Sequence, residues 1–260
     1  MRGLCFTWLL VAVLAISDAR AQIREVDLEL VLLADATGSI DAAEIAFQRN
    51  GYAAAITHSE VLNVIAGGLT GKIAVTYVEW GDESAQDVVV PWTIIDGATS
   101  AKAFTEALLA APRRAYGFNA IGSALAKAQA LIEGNDIHGL RKVIDISGDS
   151  ANNWDGIPIE MARASAIAKG ITINGLAILC RRQGCGGQPV TYNVATAFRQ
   201  KIIGGPGSFV VTADGRNSFA EAVRQKLVQE IAALPPPVRG ATSAITLTRS
   251  RRSGRASVAR

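Results

Sequence analysis

Apolar runs with strand-like spacing alternate with helix-like segments along most of this 260-residue chain. Runs that are apolar on both faces are typical of buried strands, whereas apolar residues spaced three and four apart indicate helices. The pattern predicts strands at 25–34, 72–80, 87–95, 141–147, 171–179 and 208–211. It predicts helices at 41–58, 100–111, 120–133, 157–169, 191–202 and 219–233. Because the two alternate, we expect an α/β, Rossmann-like fold with a doubly wound, mostly parallel sheet and helices on both faces.

One strand is expected to run antiparallel at an edge of this sheet. The second and third predicted strands are joined by residues 81–84, which read Gly-Asp-Glu-Ser, and such a short polar turn is typical of a hairpin. Ser100 is expected to cap the following helix. The chain is 49% hydrophobic and 19% charged, which excludes a disordered protein. Residues 22–238 contain no linker and are predicted to form one domain.

The first 21 residues have the pattern of a secretory signal peptide. Arg2 precedes an apolar run at 4–16, and Ala19-Arg20-Ala21 is a small-x-small cleavage site. The run is shorter than the roughly 20 residues that a membrane-spanning helix needs, which disfavours the alternative of an uncleaved anchor. We therefore predict cleavage after Ala21 and an exported protein, either periplasmic or secreted.

Residues 239–260 are predicted to be a disordered basic tail. Prolines at 235–237 end the last helical pattern, and arginines without any acidic residue follow. This tail supplies the formal net charge of +3, since residues 22–238 contain more acidic than basic side chains. The charge therefore gives no reason to expect a nucleic-acid partner. The tail is compatible either with no partner or with a weak contact to an anionic surface.

Two cysteines remain once the predicted signal peptide is removed with Cys5. Cys180 and Cys185 are a candidate disulfide, because a cysteine pair in an exported chain favours oxidation. A zinc site would need about two further ligands, which the neighbouring sequence does not supply.

Oxygen-bearing side chains follow the two most buried predicted strands. Asp35, Thr37 and Ser39 come after the first strand, and Asp149 comes after the strand at 141–147. Ligands of open α/β sheets bind beyond the carboxyl ends of the strands, so these side chains are expected to converge there. Carboxylate and hydroxyl ligands select Mg²⁺ or Mn²⁺, with Ca²⁺ as a further option, over zinc or copper.

The pattern of Asp35, Thr37 and Ser39 resembles the metal-ion-dependent adhesion site of von Willebrand factor A (vWA) domains, which is Asp-x-Ser-x-Ser. The family also has a threonine in a middle loop and an aspartate after its fourth strand. Asp149 matches that aspartate, whereas Asn119 stands where the threonine is expected. The resemblance implies that Asp35, Thr37, Ser39, Asn119 and Asp149 hold a divalent metal.

Longer segments resemble an exported bacterial branch of the vWA superfamily, a domain of unknown function. This resemblance covers about residues 26–232 and implies a vWA-like fold. The segments that carry it are 26–32, 74–80, 89–93, 143–149, 170–176 and 203–209.

The family resemblance implies a protein-interaction module rather than an enzyme. In vWA domains the metal keeps one position open, and a carboxylate from a protein partner fills it. Carried over to this chain, the expected partner is a protein that offers an acidic residue. Ser147 and Asn152 are candidates for a supporting role behind the metal ligands.

Other functions fit the sequence less well. Asp35 and Asp149 could simply cap helices and bind loop amides, which would leave a metal-independent binding or scaffold domain. A magnesium-dependent phosphotransfer hydrolase with Asp35 as nucleophile lacks the usual second carboxylate two residues on. No G-x-S-x-G or P-loop motif is present. A sugar- or lipid-binding module could use Trp80, Trp92 or Trp154, although the first two are expected in the core.

Overall fold

The fold is built on a six-stranded sheet with the strand order β3-β2-β1-β4-β5-β6. The computed structural model describes residues 24–179, 190–214 and 216–233. The strands are β1 (Arg24–Asp35), β2 (Ile73–Trp80), β3 (Gln86–Ile95), β4 (Ile137–Gly148), β5 (Thr172–Ile178) and β6 (Val210–Ala213). Only the β2–β3 pair is antiparallel among these strands. The predicted α/β class and its antiparallel edge strand are confirmed.

Helices cover both faces of the sheet. They are α1 (Ala42–Ile56), α2 (Ser59–Ala66), α3 (Ala98–Ala110), α4 (Ile121–Glu133), α5 (Ile159–Ala168), α6 (Val194–Ala197), which continues into a π-helical turn at Phe198–Ile202, and α7 (Arg216–Ala232). One core cluster lies between the sheet and α1, α2, α3 and α7, and the other lies against α4, α5 and α6. Along β1, Leu30 and Leu32 face the first cluster while Val31 and Leu33 face the second. Both faces of this strand are therefore buried, as its apolar run predicts.

The single helix predicted at 41–58 was wrong in extent. Asp41 caps α1 through a capping box with Glu44, but the helix ends at Ile56. The imidazole of His58 then accepts a hydrogen bond from the amide of Glu60 and starts α2, which the sequence analysis did not separate. An N-cap on His58 is not apparent from spacing alone, because histidine is not among the usual capping residues.

Ser100 does not cap α3, which is a second correction. The N-cap residue is Gly97, and the Ser100 hydroxyl instead donates to the carboxylate of Asp96 and accepts from its amide. β4 also begins at Ile137, four residues before the predicted strand. Its first half is alternately buried and exposed, so it lacks the continuous apolar run used to locate the strand.

The parallel register brings two strand ends together at one edge of the sheet. Leu33 pairs with Ile146, and Asp35 pairs with Trp80. Asp35 at the end of β1 is therefore beside Gly148 at the end of β4, and the loops after both strands emerge side by side. We call this side the carboxyl edge.

Three predictions concern residues outside those that the structure describes. They are the signal peptide at 1–21, the Cys180–Cys185 disulfide and the basic tail at 239–260. Among the described helices, none is both long and apolar enough to cross a membrane.

Candidate functional site

The first loop of the carboxyl edge brings three predicted ligands together. Asp35 is fully buried, and its Oδ1 accepts hydrogen bonds from the amide of Thr37 at 3.0 Å and from its hydroxyl at 2.8 Å. The Thr37 hydroxyl lies 3.1 Å from that of half-buried Ser39. The two-residue spacing therefore places one carboxylate and two hydroxyls in a continuous row.

The second carboxylate oxygen of Asp35 is the exceptional atom of this row. Oδ2 is buried and has no hydrogen-bond partner among the described residues. It faces Gly148, where a Cβ atom would lie 3.3 Å from Oδ2 and 3.3 Å from the Trp80 ring. A buried carboxylate oxygen normally has a partner, so this atom is suited to a ligand that the protein does not itself provide.

Asp149 lies close enough to Asp35 to affect its ionisation. Burial raises the pKa of Asp35 to about 7, and repulsion from Asp149 contributes to this rise, while hydrogen bonds from Thr37 and a weaker one from the Asp149 backbone oppose it. Burial also raises the pKa of Asp149, and Glu44 raises it further. The carboxyl edge therefore concentrates negative charge in a desolvated place.

Glu44 is a neighbour of this charge that the sequence analysis missed. It is buried, and its carboxylate accepts the Asp41 amide at 3.0 Å in the α1 capping box. The Asp-x-x-Glu spacing signals the cap but not the approach to Asp149, which depends on how α1 packs. Within the described residues, no three His, Cys, Asp or Glu side chains form a metal-binding group. A cation here would therefore need the hydroxyls as well as the carboxylates.

Asn119 lies on the same edge but is held by its backbone. Its carbonyl accepts the amide of Trp154 at 2.8 Å, and the nearby Gly117 carbonyl accepts the amide of Gly38 at 2.7 Å. Its half-buried side chain makes no hydrogen bond to Asp35, Thr37 or Ser39 in the described part of the chain. The middle loop is thus docked on the first loop, while the Asn119 amide is not joined to the row of oxygens.

The two residues predicted to support the ligands have other contacts. The Ser147 hydroxyl donates to the carbonyl of Leu33 at 3.3 Å, across the β1–β4 pair. Asn152 accepts the Tyr192 hydroxyl at 3.2 Å through Oδ1. Tyr192 also accepts the Ala151 amide at 2.9 Å, so it fixes the loop after Asp149.

Arg113 is the main residue of the site that sequence reasoning missed. Its guanidinium donates to the carbonyls of Ala36 at 2.7 Å, Thr37 at 3.1 Å and Ile40 at 2.7 Å. It also donates to its own loop at the Ala115 carbonyl, at 3.1 Å. One side chain therefore ties the first loop to the segment before α4. Arg113 belongs to no motif, and no sequence signal distinguishes it from Arg114.

Exposed aromatic side chains surround the candidate site. Among the described residues, the exposed aromatics are Tyr116, Phe118, Trp154 and Tyr192, and all four lie in loops of the carboxyl edge. Trp80 is buried, as predicted, whereas Trp92 is half-buried and donates to the Leu131 carbonyl at 3.1 Å. Clustered exposed aromatics are a feature of interaction surfaces.

One known protein family matches most of this chain. The family described as "Protein of unknown function (DUF1194)" matches residues 25–235. This chain belongs to the DUF1194 family. The match includes all the candidate ligands from Asp35 to Asp149. A comparison of this DUF1194 chain with curated proteins found no match.

Solved structures show that the DUF1194 chain has a vWA-like fold. It is similar to a von Willebrand factor type A protein from Catenulispora acidiphila, with a TM-score of 0.55, 18% identity, and coverage of 79% of this chain and 43% of the other. It is also similar to the pilus adhesin SpaC from Lactobacillus rhamnosus GG, with a TM-score of 0.54, 13% identity, and coverage of 81% and 30%. A third similar structure is proximal thread matrix protein 1 from the mussel byssus, with a TM-score of 0.55, 17% identity, and coverage of 81% and 49%. The DUF1194 chain thus spans less than half the length of these proteins.

Proposed function

We propose that this chain is an exported protein-interaction domain that binds an acidic side chain of a protein partner through a divalent cation, Mg²⁺ or Mn²⁺. The observation that carries the proposal is Asp35 Oδ2, which is buried without a partner in the described structure. Leaving such an atom unsatisfied costs about 1–3 kcal/mol, and more when the group is charged. A bound cation would remove that penalty.

The residues that would hold the cation are Asp35, Thr37, Ser39 and Asp149. Their oxygens are the hard donors that Mg²⁺ and Mn²⁺ prefer, and they come from two loops at one edge. With two carboxylates around it, a divalent cation supplies a nearly neutral centre that still attracts a third carboxylate. Thr37 orients the Asp35 carboxylate by two hydrogen bonds to Oδ1, which leaves Oδ2 as its available oxygen. Arg113 holds the backbone of this loop in place.

The surroundings of the site support a macromolecular partner. Tyr116, Phe118 and Trp154 are all more than half exposed around the same edge. Exposed aromatic residues of this kind are enriched at protein interfaces. A pilus adhesin is among the proteins with a similar fold, which is consistent with an interaction role.

A metal-independent scaffold is the competing reading of the same loop. The hydrogen bonds from Thr37 to Asp35 would then only stabilise the turn after β1, and Asp35 Oδ2 would have no function. Nucleophilic catalysis by Asp35 is disfavoured by its complete burial, because a substrate would have to reach a carboxylate with no exposed surface.

Thermal unfolding of the purified full chain tests the metal. We expect excess Mg²⁺ or Mn²⁺ to raise the melting temperature relative to EDTA, by a free energy of about 2.7 kcal/mol when the metal is at 100 times its dissociation constant. Asp35→Asn should abolish the shift, whereas Asp155→Asn, which changes an exposed acid on the same edge, should preserve it. A wild-type melting temperature that ignores both metals would contradict the proposal.

Capture of envelope proteins tests the partner. The immobilised full chain should retain a protein in Mg²⁺ and release it in EDTA, and Asp35→Asn should retain none. Methylamidation of partner carboxyl groups should prevent capture. Retention that is equal with and without EDTA would instead support the scaffold.

A further inference from the structure

A polar groove opens beside the candidate metal site, between the loop after β4, the start of α5 and the π-helical turn. Its volume is about 440 Å³, within the range of roughly 300–1,000 Å³ that is typical of small-ligand pockets. We call it the Trp154 groove, and its principal lining residues are Asn152, Trp154, Glu160, Arg163, Gln200 and Lys201.

Trp154 is both exposed and firmly anchored. Its relative exposure is 72%, and its amide donates to the Asn119 carbonyl at 2.8 Å. The preceding Asn153 side chain accepts the Gly122 amide at 3.0 Å and donates to the carbonyls of Asp155 at 3.0 Å and Ile157 at 3.1 Å. The loop is therefore tied to the start of α4 and to its own far end. Because the backbone of this loop is already held, binding at Trp154 requires little ordering of the loop.

Three polar side chains of the groove are not used by the fold. The side chains of Glu160, Gln200 and Lys201 are exposed and form no hydrogen bond or ion pair with another described residue. Asn152 uses its Oδ1 for Tyr192, which leaves its amide nitrogen available. Arg163 is partly committed, because its Nε donates to the Ile203 carbonyl at 2.6 Å. The groove thus offers hydrogen-bond donors and acceptors beside one flat apolar surface.

We propose that the Trp154 groove binds a neutral saccharide, with the apolar face of a pyranose ring on the indole of Trp154. The remaining hydroxyls would bond to Glu160, Gln200 and Lys201, which between them supply a carboxylate, an amide and an ammonium group. This binding activity requires neither Asp35 nor a cation, although Trp154 also belongs to the exposed aromatics around the proposed metal site.

The chemistry of the lining favours a saccharide over a peptide. Glu160 repels an acidic segment, and Lys201 and Arg163 repel a basic one, whereas a neutral polyhydroxyl ligand can bond to all three. Trp154 is the only large exposed apolar side chain among the described lining residues, so a peptide would find no second pocket for its apolar side chains. A pyranose needs only one such surface.

Binding of simple neutral sugars to the full chain tests the proposal. The probes are glucose, galactose, mannose, N-acetylglucosamine and their common disaccharides, in EDTA. Saturation-transfer NMR should show transfer to the ring protons of at least one sugar. Tryptophan fluorescence should shift to shorter wavelength in the wild type but not in Trp154→Ala. Trp154→Ala should weaken affinity about tenfold, which is about 1.4 kcal/mol, because it removes the flat apolar surface. Gln200→Ala should weaken it severalfold.

Phe118→Ala is the matched control, because Phe118 is 73% exposed on the neighbouring loop but does not line the groove. It and Asp35→Asn should leave sugar affinity unchanged. The proposal is overturned if no sugar gives saturation transfer, or if Phe118→Ala weakens binding as much as Trp154→Ala. It is also overturned if Trp154 responds to unrelated peptides but not to sugars. Loss of metal binding in Asp35→Asn with sugar binding retained would separate the two functions.

Discussion

Among the described residues, two pairs of neighbouring acidic side chains differ in what lies between them. Asp145 and Glu230 meet in the core between the sheet and α7, where the buried Lys226 ammonium lies 2.6 Å from Asp145 Oδ1 and also contacts Glu230. Asp35 and Asp149 meet at the carboxyl edge, and Asp35 has no ion pair with any described lysine or arginine. The fold places the Lys226 ammonium between Asp145 and Glu230, whereas no described lysine or arginine forms an ion pair with Asp35.

This difference separates a structural cluster from a candidate site. Asn174 adds to the core cluster by donating to Glu230 at 2.9 Å, and it accepts the Phe209 amide at 3.1 Å. The cluster therefore joins β4, β5 and α7 within the protein. At the carboxyl edge Asp35 is buried at the end of β1, but Ser39 and Asp149 beside it are partly exposed, so a cation as small as Mg²⁺ can approach from solution.

Substitution of Lys226 should have the largest effect on stability. Lys226→Met leaves two buried carboxylates uncompensated and should lower the free energy of unfolding by about 3–5 kcal/mol in urea denaturation. Adding Asp145→Asn and Glu230→Gln to this variant should restore much of the loss. Lys102→Met, which breaks an exposed pair with Glu106, should change stability little. Equal effects of Lys226→Met and Lys102→Met would show that the core pair needs no cation.

Arg113→Met should lower the stability and the metal affinity of the carboxyl edge without unfolding the domain. It removes the guanidinium from four carbonyls, so we expect a stability loss of about 2 kcal/mol and metal affinity lower by about tenfold. Mg²⁺ titration followed by calorimetry measures the affinity. Arg114→Met is the matched control, because Arg114 is exposed and lies 3.9 Å from Asp87. If both variants bind metal like the wild type, Arg113 has no part in forming the site.

Acidification should stabilise the metal-free protein. Burial raises the pKa of both Asp35 and Glu230 to about 7, so the folded state binds protons that the unfolded chain releases near neutral pH. Stability should therefore fall as pH rises through 7, by about 1.4 kcal/mol for each group between about pH 6 and about pH 8. Urea denaturation in EDTA measures this slope.

Asp35→Asn and Glu230→Gln should each remove about 1.4 kcal/mol from the fall in stability between about pH 6 and about pH 8. Excess Mg²⁺ should reduce only the share of Asp35, because Glu230 lies in the core away from the edge. If Mg²⁺ leaves the pH dependence of stability unchanged, then neither acidic pair binds the cation.

Asn119→Thr should have the smallest effect on metal affinity and stability. The substitution introduces the hydroxyl that the vWA pattern has at this position, and the backbone contacts of Asn119 do not depend on its side chain. We expect metal affinity to rise severalfold with little change in stability, as measured by Mg²⁺ titration. A fall in affinity would indicate that the Asn119 amide is itself a ligand.

Local pattern was sufficient for the general architecture. The apolar run of β1 and the polar residues after it place Asp35, Thr37 and Ser39 at a strand end, because parallel strands of a doubly wound sheet present their ligands there. Element limits were less accurate, since the start of α2 depends on a cap by His58 and the first half of β4 lacks an apolar run.

By itself, the sequence determined the fold class through its alternating strand and helix patterns. It also determined which oxygen-bearing side chains follow which strand, and therefore the edge of the sheet that carries the site. Only the tertiary structure decided which charges are compensated. Lys226 reaches Asp145 from 81 residues away, and Arg113 reaches Ala36 from 77 residues away. Neither contact leaves a periodic trace in the chain, because a long-range ion pair or hydrogen bond depends on how helices and loops pack on the sheet, and each needs only one residue at each end.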